Sequence, residues 1–149
     1  MLHFFLPLAL VVAPSQTPPP SNPSCAVLTA GQVSSLIGSA KTLPMTAAAT
    51  GSTCMFQNDN RVITVLMATV STADAAQGLF TSKKRIAAGT DIGGWGVPAY
   101  VGVLKPSASV VGVLKGLTLT EVKVIDSTQA AEALSTKLQA AMKEYAARK

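Results

Sequence analysis

Beyond His3 the chain contains no histidine, and that lack is its most discriminating feature. It removes Ser-His-Asp and Cys-His nucleophilic catalysis, histidine-based zinc or iron sites and imidazole acid–base chemistry from everything downstream. Aromatic residues are scarce at 5%, with Trp95 the one indole, so stacking platforms for bases or sugars are few. Charged residues make up only 13% of the chain. No apolar run approaches the roughly twenty residues that a spanning helix needs. The longest, Phe4 to Ala13, has about half that length and reads as the hydrophobic region of a signal peptide over residues 1–13. No Lys or Arg precedes it, and Pro14 follows the small-residue cleavage position at Ala13.

What remains is a chain of 149 residues, 48% of them hydrophobic, which is enough for one ordinary core. Residues 14–24 are rich in Pro and Ser and are expected to be an extended linker. A single domain, 25–149, follows. A secreted or periplasmic location makes Cys25 and Cys54 expected disulfide partners, because that compartment is oxidising. Two free thiols or a two-cysteine metal site are the alternatives, and two thiolates without a nearby His or acidic cluster make a poor zinc site.

Helix and strand signals are distributed along the whole domain. Thr29 as N-cap, Gln32 as its capping-box partner and the Leu28/Val33 staple start a short helix over about 30–37 that Gly38 stops. Residues 39–52 carry no periodic signal and read as an irregular connection. Thr53 to Gln57, a turn at Asn58-Asp59-Asn60 and the β-rich Arg61 to Val70 read as a hairpin, whose second strand is apolar on both faces and therefore central. Ser71 to Asp74 open a second helix that ends near Lys83-Lys84-Arg85, where cations suit the helix dipole. A glycine-rich loop, 89–98, follows. Val101-Gly102-Val103-Leu104-Lys105 recurs ten residues later as Val111-Gly112-Val113-Leu114-Lys115, which predicts paired strands of a hairpin. A last strand, 117–125, and an amphipathic helix over 127–147 with Leu134, Leu138, Ala141, Met142 and Tyr145 on one stripe complete the chain. The expected class is α+β: an antiparallel sheet of about five strands with helices packed on one face, in the order α-β-β-α-β-β-β-α.

The segment from Cys25 to Gly38, followed by Ser52-Thr53-Cys54-Met55-Phe56, resembles a pattern in small exported bacterial proteins of unknown function, among them DUF3558-like lipoproteins and sensor-type extracellular domains. In that pattern a Cys-led helix is tied to a Cys-aromatic strand. A Gly-x-Gly loop before a strand follows, here Gly94-Trp95-Gly96, then a Lys-Gly turn, here Lys115-Gly116, and a closing Ala-rich helix. The resemblance implies an architecture and carries over no catalytic residue. Gln32 stands where the pattern has an acidic residue, and no lipobox precedes Cys25.

Acidic residues are scattered, and their local settings are turns, helix starts and wet strand faces. Gly94 to Ala99 matches the letters of a dinucleotide fingerprint, yet it follows a helix and precedes a strand, the reverse of the required context. No catalytic residue, metal ligand or cofactor is therefore expected. The function expected is a non-enzymatic binding or sensing domain of the bacterial cell envelope, with a small secreted hydrolase using carboxylates or a Ser-Lys pair as the rival. Trp95 and Tyr100 are the candidate ligand anchors. Lys83, Lys84 and Arg85 are the candidate anion site, drawn from a net charge of +5. The partner classes are an envelope protein, an anionic polymer or a small ligand. Nucleic acid is not among them, since no recognition motif is present, and no stable membrane span is expected.

Overall fold

The computed structural model describes residues 21–149; the segment expected to be a signal peptide and most of the expected Pro/Ser-rich linker lie outside them. The chain runs through a 3₁₀ turn Pro23–Ala26, α1 Ala30–Ile37, β1 Lys41–Ala48, β2 Gly51–Asn58, β3 Arg61–Thr69 and α2 Ala73–Ile86. It continues through β4 Thr90–Asp91, β5 Ala99–Leu104, β6 Ala108–Lys115, β7 Thr118–Ile125 and α3 Ala131–Ala147. Among the described residues all strands join one antiparallel sheet of seven, in the order β1-β2-β3-β7-β6-β5-β4.

The class is α+β, but the expected five strands become seven, and the order becomes α-β-β-β-α-β-β-β-β-α. The first added strand, β1, lies in the segment expected to be irregular. It is an edge strand with every residue exposed, so it has no buried face to impose a period of two on its sequence. Pro44 and the bulge before Thr46 are features that edge strands tolerate. The second, β4, is two residues long and is held by its register against β5, with Thr90 opposite Val101 and Asp91 opposite Tyr100.

Local chemistry sets the element boundaries. Thr29 and Gln32 form the reciprocal capping box, and Gly38 closes α1 at φ 78°, a left-handed backbone that glycine adopts without a Cβ penalty. Thr72 caps α2 by accepting from the Ala75 N–H. The repeated pentapeptides do pair, with Val101 opposite Val111. The folded unit also takes in Asn22 and Ser24, which the sequence reading gives to the linker: Ser24 is fully buried, and the Asn22 amide donates to the Thr46 and Thr53 carbonyls.

Alternation sorts each strand onto two faces. The first face carries Cys54, Phe56, Ile63, Val65, Val111, Val113, Val122 and Val124 and packs under α1, α3 and the segment around Val27. Leu134, Leu138 and Met142 of α3 are wholly buried there, each worth about 2 kcal/mol of burial. Cys25 and Cys54 are joined by a disulfide, with Cα atoms 5.1 Å apart. The second face carries Tyr100, Val110, Leu114 and Leu119, and α2 packs on them through Ala76, Phe80 and Ala87. Helices therefore cover both faces, not one. The reason is in the strands: β6 buries six consecutive residues, Ser109 to Leu114, and so needs cover on either side. No helix among the described residues is long and apolar enough to cross a membrane.

Candidate functional site

Tyr100 is fully buried on the second face. Its ring lies edge-on to Phe80, 5.3 Å between centroids, and over Gly112, where a Cβ would come within 2.3 Å of it. The phenol donates a hydrogen bond to the Glu121 carboxylate. Burial first, then that bond and the negative charge of Glu121, hold the phenol protonated well above the ordinary tyrosine range. Tyr100 is thus a core residue and offers no surface to a ligand. Trp95 is half-buried against the first-face core, on the opposite side of the sheet from Tyr100, so the structure does not bring these two together.

The basic run is likewise divided. Lys83 reaches Glu121 of β7 at 3.7 Å, Lys84 reaches Asp91 of β4 at 2.6 Å, and Arg85 makes no ion pair with a described residue. The three cations point along different sides of α2 and do not converge.

Asp126 is buried and accepts from the Thr128 N–H and hydroxyl and the Gln129 amide, with Arg61 at 3.6 Å. Burial alone would raise its pKa, but these hydrogen bonds and the Arg61 charge together bring it below the ordinary carboxylate range. Its role is to fasten the β7–α3 turn to the sheet. Clefts are open: one of ≈ 440 Å³ between α1 and the β1–β2 edge has Leu28, Val33 and Phe56 in its lining and no charged residue. No group of three or more His, Cys, Asp or Glu side chains gathers among the described residues.

The arrangement that does stand out is a step on the second face. Packing of α2 reaches β5, β6 and β7, and no described helix lies over the same face of β1, β2 and β3. The floor of this open half is laid out by the register. One row across the strands is Leu43–Met55–Thr64–Lys123, and the next is Lys41–Gln57–Val62–Ile125. Leu66 stands opposite Glu121 in the row beyond. Leu43 and Ile125 are 41% and 40% exposed, and Met55, Val62 and Leu66 are half-buried.

The side of α2 forms the wall. Leu79, Lys83 and Ile86 follow one another at spacings of four and three, which puts them on one helix flank. Lys83 turns that flank toward β7 and the open half. Ile86 is the most exposed large hydrophobic residue among the described residues, at 76%. Lys41 and Lys123 on the floor make no ion pair with a described residue.

None of these residues except Lys83 is marked by sequence reasoning. The available signal was the second apolar face of β3, through Val62 and Leu66, in a chain with one helix to spare for that side. Comparison of the chain with protein-family models, curated proteins and solved structures finds no match.

Proposed function

We propose that the chain is an exported, non-enzymatic binding domain of the bacterial cell envelope, and that the open half of the second sheet face is its binding surface. The observation that supports this reading is the set of apolar side chains spread over three neighbouring cross-strand rows, Leu43, Met55, Val62, Leu66 and Ile125, left without a described helix over them. Apolar side chains left uncovered together on one sheet face mark a surface where soluble domains meet partners. Lys83, Lys84 and Arg85 have a supporting place in it only through Lys83, which borders the step.

Photo-crosslinking from within cells tests the proposal. A photoreactive side chain at position 66 should give discrete adducts, and one at Thr136, exposed on α3 across the molecule, should give none. Equal labelling at the two positions, or none at 66, overturns the assignment of the surface.

A further inference from the structure

Resting on that reading, we infer that the step between the open sheet half and the Leu79–Ile86 flank of α2 receives an acidic amphipathic helix of a partner protein. Three properties of the step carry this. The first is its size. Neighbouring strands lie about 4.8 Å apart, so the open floor across β1, β2 and β3 spans about 10 Å before β7 is reached, and strands of eight residues run for about 27 Å. A helix is about 10 Å across, and about 18 residues of it cover that length. One helix laid along the strands beside α2 fills the vacancy and completes a second helical layer.

The second property is shape. α2 stands on the sheet as a ridge of about one helix diameter, so the surface is stepped and not planar. A flat lipid surface resting on that ridge is held away from Met55 and Val62. A helix instead meets apolar side chains on two sides, the floor below it and Leu79 with Ile86 beside it.

The third is charge. Lys41 and Lys123 lie at opposite margins of the floor, on β1 and β7, one on either side of a helix placed there. Glu121, the carboxylate at the junction of floor and wall, is already engaged by Tyr100 and Lys83. Asp59, at the β2–β3 turn beside Lys41, is a carboxylate with no ion pair to a described residue, so the balance of free charge along the step is two lysines against one aspartate, and its complement is a helix with Leu-type residues on one face and Asp or Glu along the flanks. A second copy of this chain fits poorly: its net charge is +5, and face-to-face packing would oppose lysine-bearing surfaces.

Methionine methyl resonances of the full-length oxidised protein provide the test, because Met55 lies on the floor and Met142 is wholly buried on the other side of the sheet. The probes are a synthetic peptide of about 18 residues with a leucine stripe flanked by glutamates, the same peptide with lysines for the glutamates, and phosphatidylglycerol vesicles. The acidic peptide should shift Met55 and leave Met142 in place, and the Lys41→Glu, Lys123→Glu double variant should bind it on the order of tenfold more weakly. Movement of Met55 by the basic peptide or the vesicles as strong as that by the acidic peptide overturns the helix proposal and leaves the binding surface standing. If none of the three moves Met55, the surface assignment fails as well.

Discussion

Asp126 shows what a single carboxylate can do once it is out of water. Its hydrogen bonds from Thr128 and Gln129, with Arg61 alongside, favour the ionised form in the folded chain over the unfolded one. A pKa lowered on folding adds stability that is full above the unfolded value, near 3.8, and is lost as pH falls through the lower native value. Thermal melts should therefore show a Tm that drops as pH falls below about 4 in the native chain. Asp126→Asn should cost about 2 kcal/mol at neutral pH, and the gap between the two proteins should close in acid. Parallel melting curves at low pH would contradict this assignment. From the sequence, Asp126 reads as a carboxylate at the start of a helix over 127–147, but α3 begins at Ala131 behind Ala130, which makes no side-chain cap, and Asp126 instead ties the turn before it. Its burial was hidden because Arg61, whose charge helps to make burial tolerable, comes from the distant β3.

Among the elements, the β5–β6 hairpin was legible as a repeat but not as a seat for α2. The two glycines of the repeat lie on the face that α2 covers. A Cβ at Gly102 would meet the Ala87 carbonyl oxygen at 2.4 Å, and one at Gly112 would enter the Tyr100 ring. The repeat thus provides two hollows, one for the end of α2 and one for the aromatic ring beneath it. Gly112→Ala should lose about 2 to 3 kcal/mol in urea unfolding, whereas Gly93→Ala, with open space around the added methyl, should change stability by less than about 0.5 kcal/mol. Equal midpoints for the two variants would remove the hollow from the account. α1 was readable to the residue because Thr29, Gln32 and Gly38 are local signals. β1 was not, because an edge strand exposed on both faces owes its pairing to β2 and carries no periodic mark of its own.

At the scale of the whole molecule, the seven-stranded sheet is capped unequally, more completely on one face than on the other, and this inequality defines the step. The apolar second face of β3 gives a hint of it. The place where cover stops depends on the angle at which α2 crosses the sheet, and no local pattern records that angle. The same view changes the meaning of the disulfide. Under tension applied between the chain ends, the load passes from Cys25 directly into Cys54 on β2. α1 and β1, lying within the bridged loop, are bypassed. A single-molecule pulling experiment should reach a contour length about 100 Å longer in reductant than without it, since the bond withholds 29 residues at about 3.5 Å each. The helix and the edge strand nearest the tether would then be the parts of the domain that never feel the pull.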